Sequence, residues 1–243
     1  MRPIASTEVP ALFDERVIVL TAEIDEAALA LITPGEAELV ARAVDKRKRE
    51  FATARVLAHE AMARVSGPGV TRRVLELLNA PDRSPIWPEG ITGSISHCDT
   101  RAIVAVAERA HVGTIGIDVE HRDELKRELW RSVFLRQEID ALDARFESDV
   151  RGRMALALFS AKEALYKAQY PCSTRFMSFS ELHVELVPDA GSPARGAVIC
   201  TFQNDVPPFV RGTVARGRYR LDAFAGDEVV TAVRIEPELA HTA

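Results

Sequence analysis

The six residues Ala102-Ile103-Val104-Ala105-Val106-Ala107 carry no polar side chain, and so apolar a run between turn signals reads as a buried strand. Such a strand needs neighbours. A short apolar segment at residues 91–96 precedes it, and another at 114–120 follows a turn near 109–113. Ahead of them, Pro34-Gly35-Glu36 opens a segment with apolar and alanine positions at helical spacing (Leu39, Val40, Phe51, Leu57, Ala61) that predicts one helix to about residue 65. Gly67-Pro68-Gly69 ends it. Residues 17–20 read as a short strand, 72–78 as a short helix, and the proline-rich stretch 79–90 as loop. The charged region 121–150 predicts helix with breaks, and 153–169 a strong helix ended by Pro171. Strands are expected at 182–186, 197–203, 219–224 and 229–235. The order helix, strands, helix, strands indicates an α+β fold with antiparallel pairing.

With 243 residues the chain makes one large domain or two small ones. Its 31 Lys+Arg against 36 Asp+Glu give a formal charge of −5, so it is not built to coat nucleic acid. Cys98, Cys172 and Cys200 are widely spaced and include no CxxC, which argues against a disulfide framework or zinc ribbon and suits a reducing cytoplasm. No run reaches the ~18 apolar residues of a membrane span, and no signal peptide is read at the N-terminus.

Four constellations carry chemistry. In Gly116-Ile117-Asp118-Val119-Glu120 the period of two puts both carboxylates on one face of a strand. Their repulsion would be relieved by a hard divalent cation such as Mg²⁺, which takes one or two protein carboxylates and completes its shell with water and phosphate; the plainer reading is an acidic pair on a solvated strand end. In Phe159-Ser160-Ala161-Lys162-Glu163-Ala164-Leu165-Tyr166-Lys167-Ala168, helical spacing brings Glu163 beside Tyr166 and Lys167, and Lys162 beside Tyr166. An amphipathic helix with a surface Glu163–Lys167 pair is one reading; a metal ligand or base with phosphate-holding lysines is the other. In Gly93-Ser94-Ile95-Ser96-His97-Cys98, a Ser-His step joins two strands and offers a hydroxyl and an imidazole to an anion. The fifth position of a Gly-x-Ser-x-Gly elbow is His97, which disfavours a serine hydrolase. The last is basic: Arg42, Lys46, Arg47, Lys48, Arg49 and Arg55 lie on one helical segment, with Arg47 and Arg55 two turns apart, and Arg83 follows in the proline-rich loop. Such charges form either a solvated face or a phosphate clamp. The second histidine of HExxH is missing after His59-Glu60, and there is no Walker A loop or GxGxxG.

Taken together, Lys46-Arg47-x-x-Glu50-Phe51-x-x-x-Arg55, the segment from Trp87-Pro88 to Cys98, the Gly116–Glu120 strand and the Phe159–Ala168 helix resemble, in this order and spacing, the 4′-phosphopantetheinyl transferases of the larger, Sfp type. The likeness is strongest to the branch with enterobactin synthase component D and the actinobacterial enzymes. It implies two similar α/β halves joined as a pseudo-dimer with the active site between them, here residues 1–115 and 116–243, with a seam near 110–122. It implies transfer of 4′-phosphopantetheine from coenzyme A to a serine of an acyl or peptidyl carrier protein, with release of adenosine 3′,5′-bisphosphate, by a cytoplasmic monomer. The carriers would be those of fatty acid, polyketide, siderophore or nonribosomal peptide synthesis.

By the same resemblance Asp118, Glu120 and Glu163 would hold Mg²⁺, with Mn²⁺ an alternative. Glu163 would be the general base, and Lys167, with Lys162 second, would stabilise the cleaving pyrophosphate. Arg47, Arg55, Arg83, Ser96 and His97 would grip the nucleotide, and Tyr166 would bind or pack. Ser94 and Ser96 would not be nucleophiles. Two other functions use the same residues: a Mg²⁺-dependent phosphohydrolase of coenzyme A or nucleotides, and a degenerate coenzyme A-binding module.

Overall fold

The computed structural model describes residues 6–9, 12–66, 76–121, 125–224, 228–236 and 238. The first half begins with strands β1 (Thr7–Glu8) and β2 (Ile18–Glu23) and helices α1 (Pro34–Leu39) and α2 (Asp45–Ser66). The strands β3 (Ile91–His97) and β4 (Arg101–Glu108) complete an antiparallel sheet of order β1-β2-β4-β3. The chain crosses to the second half through a single helical turn, α3 (Arg109–Val112), and Gly113.

The second sheet starts with β5 (Thr114–His121). Helices α4 (Trp130–Val133), α5 (Arg136–Arg145) and α6 (Ser148–Ser173) follow, then strands β6 (Leu182–Asp189), β7 (Ser192–Phe202), β8 (Val214–Arg220) and β9 (Glu228–Ile235). The order is β5-β9-β8-β7-β6, again antiparallel. The fold is therefore α+β in two halves, each a sheet with one long helix. The boundary expected between residues 115 and 116 lies inside β5; the change of sheet falls before Thr114.

Strand β4 explains the layering. Ala102, Val104 and Val106 join a core with Leu57, Ala58 and Met62 of α2, while Ile103, Ala105 and Ala107 face the second sheet. There they meet Ile115, Ile117 and Val119 of β5 and Val230 and Ala232 of β9. Helix α6 covers the far side of the second sheet, with Met154, Leu158 and Leu165 packed on Val184, Val198 and Val233. The layers thus run helix, sheet, sheet, helix, and the apolar run at 102–107 is buried on both faces as its composition requires.

Four expectations need correction. The single helix over 34–65 is two, α1 and α2, with a turn between. Glu36 of α1 accepts a hydrogen bond from His59 Nε2 of α2 at 2.7 Å, a contact that a continuous helix would hold about 35 Å apart. Thr33 caps α1 in a reciprocal arrangement with Glu36, and Pro34 starts it. Helix α6 runs past Pro171 to Ser173 and stops at Thr174, whose left-handed backbone (φ 50°) returns its N–H to Tyr170. The strand expected at 219–224 is displaced: β8 occupies Val214–Arg220, with Ala215 and Tyr219 inward and Arg216 and Arg218 on the other face. Of the helix expected at 72–78, residues 72–75 lie outside the described residues and 76–78 are not helical.

Glu36 is fully buried and also accepts from the N–H groups of Thr33 and Leu77. Burial raises its pKa, but the hydrogen bonds from His59, Thr33 and Leu77 more than reverse this and hold it below the ordinary glutamate value. Its carboxylate therefore stabilises the fold above that ordinary value, and the contribution is lost as pH falls through the depressed one. In urea titrations Glu36→Gln should cost about 1–3 kcal/mol near neutral pH. The gap to wild type should narrow on acidification below about pH 4.3; a gap unchanged down to pH 3 would contradict the ionised assignment.

Candidate functional site

The site lies where β3, β5 and α6 meet. Gly116 lets α6 approach β5, since a Cβ there would collide with the carbonyl oxygen of Ala164. Two residues on, the period of the strand puts Asp118 on the same α6-facing side, 3% exposed. On α6, Glu163 and Lys167 share a face. The Lys167 ammonium donates to Asp118 Oδ1 at 2.7 Å, to Ser96 Oγ at 2.9 Å and to the Ile117 carbonyl at 3.2 Å. Ser96 Oγ donates in turn to Asp118 Oδ1 at 2.8 Å, and Ser94 Oγ accepts from the Ile117 N–H at 3.0 Å. Both serines of β3 thus fasten the halves together.

The acidic side of this cluster is costly to ionise, first because it is buried and then because its charges repel. Burial pushes the Glu120 carboxyl up to about 7, with the charge of Asp118 adding to the effect and Lys167 opposing it. Glu163 is raised for the same reasons, burial first and Asp118 second. Asp118 Oδ2 is buried with no hydrogen-bond partner. Excess buried negative charge and an orphaned carboxylate oxygen suit a hard, oxygen-seeking divalent cation. The three carboxylates share one neighbourhood but are not preassembled: among the described residues no three acidic, His or Cys side chains form a cation-holding group.

Beside the cluster opens a cavity of about 650 Å³. Arg47, Arg55 and Arg83 from the first half line it, Arg109 lies on its wall at the crossover, and Lys167 closes it from α6. Arg55 is 4% exposed; it donates to Asn79 Oδ1, its guanidinium lies 4.3 Å from the Phe51 ring centroid, and its Nε is buried without a partner. Burial, then the charge of Arg47, pulls its pKa down to about 10 against the opposing charge of Glu36. A buried guanidinium held by an amide and a ring is suited to receive an anion. Arg47 Nη1 contacts His97 Nε2. Burial and the Arg47 charge lower the His97 pKa and favour the neutral ring, which can accept from Arg47.

Of the residues singled out from sequence, Asp118, Glu120, Glu163, Lys167, Ser96 and His97 come together, and Arg47, Arg55 and Arg83 line the adjoining cavity. Lys162 does not join them. It is fully buried on the other side of α6, where its ammonium pairs with Glu138 Oε2 at 2.8 Å and donates to the carbonyls of Phe179 and Leu182, both at 2.9 Å. Its assignment to the cleaving pyrophosphate is corrected: helical spacing gives its angular offset from Glu163, but not which side faces the core. Glu138 itself accepts from the N–H groups of Leu135 and Val184, both at 2.7 Å. Arg109, Asn79 and Tyr170 were missed. Tyr170 was within reach, at i+4 from Tyr166 on the same helix face; Arg109 and Asn79 had no local signal.

The chain is similar to known proteins over most of its length. The family model described as 4′-phosphopantetheinyl transferase N-terminal domain matches residues 35–107, and that of the 4′-phosphopantetheinyl transferase superfamily matches 114–222. The 4′-phosphopantetheinyl transferase Svp of Streptomyces mobaraensis is 37% identical over 216 residues, covering 85% of this chain and 80% of its own. Npt of Nocardia iowensis is 36% identical over 164 residues, covering 67% and 70%. Enterobactin synthase component D of Salmonella typhimurium is 36% identical over 129 residues, covering 51% and 48%.

Two variants test the packing of the site. Gly116→Ala should push α6 off β5, costing about 1–3 kcal/mol of stability and lowering turnover; an unchanged melting curve would contradict the close approach. Lys162→Met leaves Glu138 buried and uncompensated, and should cost about 3–5 kcal/mol. The folded fraction should bind nucleotide with wild-type affinity in calorimetry, whereas a direct phosphate ligand would lose affinity on truncation.

Proposed function

This chain belongs to the 4′-phosphopantetheinyl transferase superfamily and transfers the phosphopantetheine of coenzyme A to a carrier protein, and we propose that it does so across the seam between its halves. The supporting observation is the juxtaposition at Lys167: one ammonium is bonded to the buried acid Asp118 and forms part of the wall of the arginine-lined cavity. The cavity is large enough for much of a nucleotide. Arg47, Arg55 and Arg83 hold its phosphates, with His97 orienting Arg47.

Asp118, Glu120 and Glu163 are the residues that would hold Mg²⁺. When bound, the cation neutralises the pyrophosphate and favours departure of its anionic half. Lys167 adds a fixed positive charge where negative charge develops, and Ser96 keeps that ammonium and Asp118 in register. Glu163, one turn from Lys167, takes the proton of the carrier serine directly or through water as its oxygen attacks the phosphorus. The phosphorus–oxygen bond to adenosine 3′,5′-bisphosphate breaks and phosphopantetheine stays on the serine. Both walls of the site come from one chain, which supports action as a monomer. No helix among the described residues is long and apolar enough to cross a membrane, and the reducing cytoplasm, where coenzyme A and apo carriers meet, is the proposed compartment.

Intact mass spectrometry of an apo carrier incubated with the protein, coenzyme A and Mg²⁺ tests this. One phosphopantetheine should be added, EDTA should prevent it, and Asp118→Ala should lower the rate by about 100-fold or more with the fold retained. Coenzyme A consumed without carrier modification would favour the phosphohydrolase; coenzyme A bound but unchanged would favour the binding module.

A further inference from the structure

Asp82 is out of place electrostatically. It is the only acidic side chain among the described residues lining the cavity, against Arg47, Arg55, Arg83, Arg109 and Lys167. A carboxylate facing an anion site weakens binding unless it serves another purpose, and both its oxygens are engaged. Oδ1 accepts from the N–H and the hydroxyl of Ser84, at 2.9 and 2.7 Å, and Oδ2 accepts from the Tyr170 hydroxyl at 2.7 Å.

The first pair of bonds closes a tight turn. Ala80 N–H donates to the Ser84 carbonyl at 2.8 Å, and Arg83 N–H to the Ala80 carbonyl at 2.9 Å. Between them Arg83 takes φ 72°, a left-handed backbone that is costly for a residue with a Cβ. Such a conformation persists where its surroundings over-determine it, and it occurs often at functional sites. Here it accompanies an arginine on the cavity wall.

The Tyr170 bond comes from the other half. Tyr170 lies in the last turns of α6, its ring 5.7 Å from that of Tyr166, one helical turn back. Among the described residues, its hydroxyl makes the one side-chain hydrogen bond from the second half to the turn at 80–84. We propose that Tyr170 is a positioning residue: by holding Asp82 across the seam it fixes the strained turn that aims Arg83 at the anionic nucleotide. This rests on the nucleotide occupying the cavity. A loop of the first half and a helix of the second then form one jaw, and the carboxylate is retained for its two acceptor oxygens despite its charge.

The test is calorimetric binding of adenosine 3′,5′-bisphosphate and of coenzyme A to the full chain, with melting curves as folding controls. Tyr170→Phe keeps the ring and removes the hydroxyl. It should weaken both ligands about three- to tenfold, the effect of one lost hydrogen bond. KM for coenzyme A should rise by more than kcat falls. Asp82→Ala should weaken binding at least as much, although it removes a negative charge from the wall, and adding Tyr170→Phe to it should do little more. Asp82→Asn, which keeps an acceptor for Ser84 and a partner for Tyr170, should recover most of the loss. Amide exchange at Arg83 and Ser84 should quicken in Tyr170→Phe without nucleotide. Tighter binding by Asp82→Ala, or wild-type binding by Tyr170→Phe with unchanged exchange, would overturn the proposal. Wild-type protein that binds neither ligand while Tyr170→Phe speeds exchange would instead overturn the nucleotide assignment, leaving the hydroxyl as a fastener of the turn alone.

Discussion

One ammonium group ties both sheets to α6. Lys167 Nζ is bonded to a carboxylate and a carbonyl of β5 and to a hydroxyl of β3, so the first half, the second half and α6 all converge on it. Asp118 at 3% exposure is tolerable only with such compensation, because an unpaired buried carboxylate would cost several kcal/mol. The compensation is incomplete: one lysine stands against three carboxylates, and burial first, with the charge of Asp118 second, raises the proton affinities of Glu120 and Glu163. The fold thus stores uncancelled negative charge beside a cavity lined by arginines. On the proposed reading, a substrate whose anionic nucleotide meets the arginines, arriving with a divalent cation for the carboxylates, would relieve both imbalances at once.

The apolar pattern explains why this charge stays in place. Ile115, Ile117 and Val119 are clamped against the first sheet, so the alternate residues of β5 have no choice of face. Gly116 then sets the distance of α6, and the helical repeat carries Glu163 and Lys167 to the strand. A one-residue slip of β5 would bury Asp118 against Ile103 and Ala105, which no partner there could compensate. The core therefore specifies the register of the site as well as supporting it.

Much of this was legible in short linear stretches. The period of two in Gly116–Glu120 and the helical spacing of Glu163 and Lys167 depend on local geometry alone, which a sequence displays. The apolar run at 102–107 likewise declared a strand covered on both sides. What escaped was decided by partners distant in the chain. Glu36 turns inward to His59, which breaks a segment whose spacing looked continuous. Lys162 finds Glu138, 24 residues earlier in a charged stretch with no sign of burial. The arginines of β8 hid a strand whose inward residues, Ala215 and Tyr219, are few and far apart. The sequence left Arg55 between a solvated face and a phosphate clamp, and its burial against Phe51 depends on packing that spacing does not display.

The two halves are alike in architecture but bring different charged groups to the seam. Each packs one long helix on its own sheet, and each helix turns one face to the shared cavity. Helix α2 presents Arg47 and Arg55, while α6 presents Lys167 with Glu163 one turn away. Had both helices carried the arginine face, the seam could bind an anion but would lack donors for a cation. Had both carried the carboxylates, it would repel the anion it must hold. Joining the halves in one chain lets the same framework diverge on its two sides, with Ser96 and Lys167 bonding across the boundary so that neither charge set can drift from the other. On the proposed reading the reaction needs both, because the bond to be broken would join a nucleotide held by the arginines to the phosphorus that the carrier serine attacks.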